Sequence, residues 1–532
     1  MQYKQNPFFT DKYPLPKYFL PAIPILYFII MLVVCMSNRL LGDYGVETDF
    51  YVAYVSQAKE LLNGRLIIDE YRGPVYQILL ALTGFFFKSD FYTAGKFLNV
   101  MCAAVVLFFV SKLITSLFNR QVSFFVVLLI AVNQVFWRYT YEPGTDMLFL
   151  VFYVSALYFL LKDLIFESKN LFTAGLLTGM AYLTRYTGVS LLVFAVILFV
   201  IIYFKKYKNT ETASGKNFLK PVLLYLIPVI ILISGWGIFS FIKTGSFFYN
   251  KNYQNTAFAF YKPNEMSKDE WTSKYQENYT SMSDVIFSNP VTFSKKYSKN
   301  SVNYFIKDLL RFFPKYISIL VGFGFLIFLL KFKSENLQEK LFLLAGFIFY
   351  IQILLIFYSE RFSLPLLPLY CFLVIRLFSQ DIFQRFNFKF KNLKLFSLIL
   401  LLLVTLNFYN SYTIAKTDIN DVPVEILSVR DIVNKDFGEE LKGKSIMARK
   451  PHIAYYLDME LMFMPYAETY ADFILNLKNS NSEYLFVSEK EGMISSNEDL
   501  KKNLLNTTAF NNEDLELITY TTDPVTILYK VK

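Results

Sequence analysis

Histidine and cysteine, which most often bind transition metals or form disulfides, are nearly absent from this chain. It contains one histidine, His452, and three cysteines, all of which lie inside apolar runs. A single histidine excludes a site built from several histidines, and apolar surroundings favour a packing role for the thiols. His452 stands beside aromatic residues and is interpreted as structural. The sequence therefore predicts neither a multi-histidine metal site nor a fold held together by disulfides.

Charged residues are also scarce, at 18% of the 532 residues, whereas soluble domains typically have about 25%. Hydrophobic residues reach 55%, and they are grouped in runs of roughly 20 residues, the length that crosses a bilayer as a helix. The composition excludes an ordinary soluble protein and predicts a polytopic α-helical membrane protein. The formal net charge of +10 resides in short loops between the runs, which indicates membrane topology rather than nucleic-acid binding.

About eleven transmembrane helices are predicted from these runs. The first run lacks a small-residue cleavage site and is longer than the apolar core of a signal peptide, so we expect a retained helix. The run 73–87 is too short to span and is predicted to be interfacial or re-entrant. The predicted spans are residues 19–41, 97–117, 121–137, 143–161, 171–184, 187–204, 221–242, 315–331, 341–358, 363–378 and 395–412.

Lysine and arginine are concentrated in three of the loops between the predicted spans. These loops, 205–220, 331–340 and 376–394, fall on one side of the membrane together with the N-terminus. The positive-inside rule makes that side cytoplasmic. The opposite, outer side then receives the loop 42–96 and the segment 243–314.

The last part of the chain changes character after about residue 413. Short β-rich runs alternate with polar or helical stretches, and the final run is typical of a hairpin around Asp523–Pro524. We therefore expect a transmembrane domain over 1–413 and a small extracytoplasmic α/β domain over 414–532.

The stretch "GDYGVETDFYVAY" (42–54) places Asp43, Glu47 and Asp49 directly after the first span. Asp49 opens a segment with helical apolar spacing that should end at Gly64. Aspartate is a favoured helix N-cap, but a carboxylate in this position can also act as a general base toward a hydroxyl group. Glu47 and Asp49 could alternatively bind a divalent cation through their oxygens. The residues alone leave these alternatives open.

A second acidic group lies in "RYTYEPGTDMLFL" (138–150), where a predicted span emerges on the outer side. Pro143 suits the first turn of a helix. Glu142 and Asp146 are four residues apart, which on one helix would place both on the same face. A solvated, capped helix end explains Glu142 better than Asp146, which lies one turn further in.

Three arginines are predicted on the same outer side: Arg72 in "DEYRGPVY", Arg185 in "YLTRYTGVSLL" and Arg361 in "FYSERFSLPLLPLY". A lone arginine at a span end can extend toward lipid headgroups. A guanidinium can also bind two phosphate oxygens at once. An outer pocket with carboxylates and several arginines suits a substrate that has a hydroxyl nucleophile and a phosphate leaving group.

At this point the sequence resembles the GT-C superfamily of membrane glycosyltransferases, in its glycosyltransferase-family-39-like branch of protein O-mannosyltransferases and lipid A aminoarabinose transferases. "TDFYVAYVSQAKELLNG" resembles the acidic first outer loop of that branch, with Asp49 at the position of its aspartate. "GLLTGMAYLTRYTG" resembles its glycine-rich span with Arg185 as the basic residue, and "ERFSLPLLPLY" resembles a later span. In "YRGPVY", Arg72-Gly73-Pro74 stands where relatives often have an acid, a lysine and a proline.

The resemblance implies an inverting transferase that moves a sugar from a polyprenyl-phosphate carrier to a lipid, glycan or protein acceptor on the outer face. Asp49, or else Asp146 or Glu47, would be the catalytic carboxylate, and Arg185, Arg361 and Arg72 would bind the donor phosphate. No cofactor and no metal are expected, since this branch generally uses none. The family type suggests a multi-pass protein of a bacterial inner membrane with its site facing the periplasm.

Three other classes of membrane protein remain as alternatives. A transporter or flippase for lipid-linked sugars would contain inverted repeats and broken helices at the midplane, and the sequence shows no repeat. A polysaccharide polymerase or ligase would carry its large outer loop late in the chain. A membrane receptor that binds a ligand through its tail would leave the outer acidic and basic motifs without a role.

Overall fold

The computed structural model describes residue 8 and residues 15–38, 40–42, 45–162, 168–206, 215–263, 266–386, 388–390, 393–490, 494, 497–506 and 513–532. The chain divides into two compact units. Unit 1 comprises Met1–Arg39, Tyr54–Phe260 and Ser281–Ile419, and unit 2 comprises Leu40–Ala53, Tyr261–Thr280 and Asn420–Lys532. The acidic stretch around Asp49 thus belongs to the unit that contains the C-terminal residues.

Helices account for nearly all regular structure before residue 424. Their bounds are α1 Phe19–Asn38, α2 Val46–Asp49, α3 Ser56–Leu62, α4 Val75–Phe86, α5 Phe91–Leu117, α6 Arg120–Ala131, α7 Gln134–Tyr141, α8 Thr145–Leu161, α9 Ser168–Thr184, α10 Val189–Lys206, α11 Gly215–Thr244, α12 Asn252–Tyr261, α13 Lys268–Tyr275, α14 Met282–Phe287, α15 Pro290–Phe312, α16 Lys315–Leu330, α17 Leu337–Ile353, α18 Glu360–Ser363, α19 Leu367–Phe378, α20 Asp381–Gln384 and α21 Leu395–Asn420. A short strand pair, β1 Lys389–Phe390 and β2 Leu393–Lys394, precedes α21.

Each predicted span overlaps one or more helices, but the count of eleven transmembrane helices is not confirmed. Within the described residues, six helices are long and apolar enough to cross a membrane, or seven if one bent pair forms a single span. Several predicted spans are helices at or just below the lower end of the usual range of about 17–25 residues: α8 has 17 residues, α9 has 17 and α16 has 16. The 12-residue α4 agrees with the expectation that 73–87 does not span.

The predicted span 121–137 is broken. α6 and α7 meet at an angle of 60° across Val132 and Asn133. Breaking a helix in an apolar setting exposes backbone groups that need new partners. Here Asn133 caps α7 through its side chain, and Asn407 and Ser411 of α21 both donate to the Val132 carbonyl oxygen. The break redirects the chain so that α7 leads into the turn before α8.

The two glycines of "GLLTG" bring α9 and α11 into close contact. A Cβ on Gly175 would lie 2.1 Å from the Tyr225 carbonyl oxygen, and one on Gly179 would lie 2.7 Å from Leu232. Small residues four positions apart allow two helix backbones to approach closely. This packing fixes α9, whose C-terminal end carries Arg185.

The C-terminal part of unit 2 contains a five-stranded mixed sheet. Strand order is β4-β3-β5-β7-β6, with parallel β3–β4 and β3–β5 pairs and antiparallel β5–β7 and β6–β7 pairs. The predicted hairpin around Asp523–Pro524 is confirmed as β6–β7. The elements are α22 Val424–Asp436, β3 Ser445–Ala448, α23 His452–Leu457, β4 Glu460–Phe463, α24 Tyr470–Asn479, β5 Tyr484–Ser488, α25 Glu498–Leu504, β6 Leu515–Thr522 and β7 Val525–Val531. His452 is fully buried at the start of α23.

Candidate active site

The segment "YRGP" and the end of α9 lie in direct backbone contact. A Cβ on Gly73 would lie 1.9 Å from the carbonyl oxygen of Leu183, so this approach requires glycine. The Tyr186 hydroxyl donates to the Arg72 carbonyl oxygen at 3.4 Å. Glycine at position 73 therefore brings two predicted phosphate ligands, Arg72 and Arg185, into one region of unit 1.

Replacing Gly73 with alanine should therefore disturb this region. Overpacking against backbone typically costs about 1–3 kcal/mol, so we expect a lower unfolding temperature in detergent. Gly322→Ala in α16 is the matched control, because its Cβ meets nothing within 4 Å. Thermal unfolding of both variants checks the prediction. Equal stability of the two variants would contradict the close approach.

Arg185 and Asp146 form the central ion pair. Arg185 follows α9 in extended backbone, and Asp146 lies in the first turn of α8. The Arg185 Nη1 donates to the Asp146 Oδ1. The Asp146 side chain is only 3% exposed and that of Arg185 is 17% exposed. A carboxylate this deeply buried needs a cationic partner, so Asp146 fixes the orientation of the guanidinium.

The ring of Phe362 connects Arg185 with Arg361. The guanidinium carbon of Arg185 lies 4.9 Å from the ring centroid, and that of Arg361 lies 5.0 Å from it. Both distances are typical of cation–π contacts. Phe149 of α8 adds a second ring, 5.9 Å from Arg185. The structure thus brings two predicted phosphate ligands to one aromatic side chain that the sequence analysis did not single out.

Arg72 is held by Asp69, a residue that the sequence analysis missed. The Arg72 Nη1 lies 3.2 Å from the Asp69 Oδ2, which also accepts from Gln57 Nε2 at 2.8 Å. The Arg72 guanidinium lies 5.3 Å from the ring centroid of Tyr54. The Tyr54 hydroxyl is 3.4 Å from the Thr145 hydroxyl, next to Asp146. The spacing of Asp69 three positions before Arg72 was the available signal.

The residues around Asp69 are tied to the segment after α11. Lys251 Nζ donates to Glu70 Oε1 at 2.6 Å, and the Tyr249 hydroxyl donates to the same oxygen at 2.8 Å. The hydrogen bond from Lys251 lowers the pKa of Glu70 below its ordinary value. Backbone bonding adds to this, since the Lys251 nitrogen donates to the Glu70 oxygen at 2.7 Å. These contacts hold the segment before Arg72 against the residues that follow α11.

Glu142 and Asp146 do not share one helix face, contrary to the expectation from their spacing. Glu142 ends α7 in extended backbone, and α8 begins only at Thr145 after Gly144, so Pro143 precedes the helix. Glu142 Oε1 accepts from Arg138 at 2.9 Å. Arg138 also lies 3.8 Å from Glu360, which precedes Arg361. The two predicted acids thus serve two different arginines.

Glu47 and Asp49 lie in unit 2, and Asp49 is not an N-cap. α2 begins after Gly45, and Asp49 is the last residue of its first turn. A π-helical stretch, Phe50–Val55, continues the helical run into α3. The predicted stop at Gly64 is confirmed by its positive φ of 78°.

The Glu47 carboxylate is fully buried and has a structural contact. Its Oε2 accepts from the Gly42 backbone nitrogen at 2.8 Å, closing the turn before α2. Asp49 is intermediate in exposure. Asp43 lies outside the described residues. Within the described part of the chain, no group of three or more His, Cys, Asp or Glu side chains is arranged to hold a metal ion.

Solved structures show the same fold. ArnT from Cupriavidus metallidurans, solved with bound undecaprenyl phosphate, superposes with a TM-score of 0.62 at 8% identity, covering 97% of this chain and 98% of that one. The oligosaccharyltransferase AglB from Archaeoglobus fulgidus was solved with an inhibitory peptide and a dolichol-phosphate. It superposes with a TM-score of 0.54 at 13% identity, covering 97% of this chain and 74% of that one. No protein among the curated ones matches the sequence.

These superpositions show that the chain has the GT-C fold that the resemblance implied. Its long apolar helices support an integral membrane protein. Residues 72–235 match the family described as dolichyl-phosphate-mannose-protein mannosyltransferase. The matched stretch begins at Arg72 and includes Asp146 and Arg185. Over these residues the chain is similar to that family, in agreement with the expected resemblance to the O-mannosyltransferase and ArnT-like branch.

Proposed function

We propose that this protein is an inverting glycosyltransferase that takes its sugar from a polyprenyl-phosphate carrier and transfers it on the outer face of the membrane. The observation that carries the proposal is the convergence of Arg185 and Arg361 on Phe362, with Arg72 held beside the end of α9. Several guanidinium groups in one partly buried region suit a phosphate that becomes more negative as it leaves.

In the proposed reaction, an acceptor hydroxyl or amine attacks the anomeric carbon of the sugar. The bond from that carbon to the phosphate oxygen breaks, and the lipid phosphate leaves with the bonding electrons. One displacement at one carbon inverts its configuration. The acceptor proton passes to a carboxylate, for which the first-loop Asp49 is the candidate by its resemblance to the family position.

In this proposal Asp146 positions Arg185 and is not the general base. Its buried carboxylate already accepts from Arg185, so it orients the guanidinium toward the phosphate. Fixing a flexible side chain before the ligand arrives lowers the entropic cost of binding. Glu47, which closes the turn at Gly42, is assigned a structural role.

The partners that follow are a polyprenyl-phosphate-linked sugar as donor, a lipid, glycan or protein as acceptor, and the surrounding membrane lipids. A transporter is less well supported, because the broken helix pair found among the described residues, α6–α7, has its freed carbonyl bonded by side chains of α21. Such side-chain bonding does not require a substrate channel at the break.

The experiment that tests the proposal uses purified protein in liposomes. A panel of radiolabelled polyprenyl-phosphate sugars is added with a crude envelope fraction as acceptor source, and the label is followed into lipid, glycan and protein. Transfer that releases free polyprenyl phosphate supports the proposal. Movement of intact labelled donor across the bilayer without release would support a flippase instead.

The sidedness of the proposal makes a separate prediction. Single cysteines at positions 48 and 480 should react with a membrane-impermeant thiol reagent from outside, and one at position 214 only from inside. The three native cysteines are all buried, so background labelling should be low. Labelling of positions 48 and 480 from opposite sides would overturn the assignment of both segments to the outer face.

A further inference from the structure

One face of α15 is hydrogen-bonded to the C-terminal end of α17 and to the chain that follows it. The C-terminal carbonyl groups of a helix have no partner within the helix, and here side chains of α15 satisfy the carbonyls at and beyond that end. The contacts are Tyr297 Oη to the Ile351 oxygen at 2.7 Å, Asn300 Nδ2 to the Leu354 oxygen at 3.1 Å and Tyr304 Oη to the Ile356 oxygen at 2.7 Å. These donors follow helical spacing, so they form one stripe along α15.

Asp308 is the next residue of that stripe, and it is fully buried. Its Oδ2 accepts from the Tyr370 hydroxyl of α19 at 2.9 Å. Its Oδ1, the Tyr358 hydroxyl and the Ser363 hydroxyl are all buried, and none of the three has a hydrogen-bond partner within the described part of the chain. A buried carboxylate without further partners is costly, so these two hydroxyl groups are its available donors.

Tyr358 and Ser363 flank the turn that carries Glu360, Arg361 and Phe362. Phe362 is the ring that Arg185 and Arg361 share. The Tyr358 ring also packs against Tyr304 of the stripe at 5.2 Å between centroids. Asp308 is thereby the one carboxylate of α15 that faces both ends of the turn.

We propose that Asp308 is a positioning residue, which holds the 358–363 turn so that Arg361 and Phe362 face Arg185. The inference rests on the proposed function for its catalytic meaning, since it concerns the arginines that would bind the donor phosphate. Asp308 itself touches no substrate in this proposal. It acts through the hydroxyl groups of Tyr358, Ser363 and Tyr370.

The protonation state of Asp308 changes how many hydroxyl groups it can accept from. α15 is not among the apolar helices that are long enough to span a membrane. Burial raises the pKa of Asp308 to about 7, although the hydroxyl groups of Ser363, Tyr370 and Tyr358 lower it. The other ionisable groups near it are Glu360 in the turn, Tyr350 of α17 and, on its own helix, Lys307 and Arg311 beside Tyr358. The carboxylate is charged above about pH 7 and can then accept from all three hydroxyl groups, whereas the protonated form would have to donate one bond.

Asp308→Asn tests the inference, because asparagine keeps the size but does not titrate. Binding of undecaprenyl phosphate to the purified protein is measured between pH 6 and pH 8.5. Since loss of one hydrogen bond to a charged group corresponds to about a tenfold change in an equilibrium, we expect the variant to bind about tenfold more weakly at pH 8. At pH 6 the two proteins should bind undecaprenyl phosphate about equally well. Titration of the lipid phosphate affects both proteins alike, so it does not produce the difference between them.

Hydrogen exchange provides a readout that needs no ligand. Amides of residues 357–366 should exchange faster in Asp308→Asn and in Tyr370→Phe than in the wild type. Tyr225→Phe is the matched control, because it also removes a buried tyrosine hydroxyl, here bonded to Thr178 at 3.0 Å, but at the α9–α11 contact. It should leave exchange in the turn unchanged.

The outcomes separate the inference from the proposed function. Unchanged exchange in the turn of Asp308→Asn would overturn the positioning role, whatever the binding result. Faster exchange together with absent undecaprenyl phosphate binding in the wild type would support the positioning role and contradict the proposed donor. A binding defect of Asp308→Asn that is the same at every pH would overturn the account based on its charge.

Discussion

Asp49→Asn is expected to lower sugar transfer by about 10²–10⁴-fold, the usual contribution of a general base when chemistry limits the rate. Asparagine has nearly the same shape but cannot accept a proton at neutral pH. Because Asp49 lies in the first turn of α2 rather than at its cap, the loss of its favourable interaction with the helix dipole should cost about 0.3–1 kcal/mol. Initial rates and thermal unfolding in detergent check both parts.

Asp90→Asn is the matched control in the same predicted outer loop. The Asp90 side chain caps α5 by accepting from the Thr93 nitrogen at 3.1 Å, and asparagine caps equally well. This variant should retain full activity. A folded Asp49→Asn protein with near-native transfer would show that Asp49 is not the base and would direct the search to Asp146 and then Glu47.

Arg185→Ala should reduce transfer by about 10²–10³-fold, the loss seen when one donor to a developing negative charge is removed. Arg185→Lys should restore only part of the rate, since an ammonium keeps the charge but lacks the planar fork. The binding of undecaprenyl phosphate should weaken in the same order. If the alanine variant transfers sugar at the wild-type rate, Arg361 or Arg72 must bind the phosphate instead.

Stability complicates the Arg185 variant, and a second substitution separates the effects. Removing Arg185 leaves the Asp146 carboxylate buried without its ion-pair partner, which is strongly destabilising in general. The double variant Arg185→Ala/Asp146→Asn removes that charge, so it should recover thermal stability without recovering transfer. Recovery of both would mean that Arg185 serves the fold and not the phosphate.

Local patterns in the sequence were sufficient for several parts of the structure. The apolar runs predicted helices at the positions where they occur, the glycine at 64 predicted a helix stop, and alternating residues around Asp523–Pro524 predicted the β6–β7 hairpin. Helix hydrogen bonds join residues four apart and turn geometry depends on adjacent residues. Such features are encoded within short segments and can be predicted without knowing what they pack against.

The pairing of charges at the candidate site was decided by tertiary packing. Spacing suggested that Glu142 and Asp146 act together, yet a turn separates them and each meets a different arginine. Arg185 and Arg361 both contact the Phe362 ring, and Arg185 is about 180 residues away from that ring along the chain. No local pattern specifies which side chains meet when two distant helices pack.

The sequence by itself thus determined that this is a helical membrane protein with acidic and basic groups at its predicted outer loops, because bilayer thickness and charge asymmetry act directly on composition. Only the tertiary structure decided that α6–α7 breaks at Val132, that Asp69 holds Arg72 and that Asp308 faces the turn of Arg361. A buried polar group needs a partner within a few ångströms. Which residue supplies that partner depends on how helices far apart in the chain are packed together.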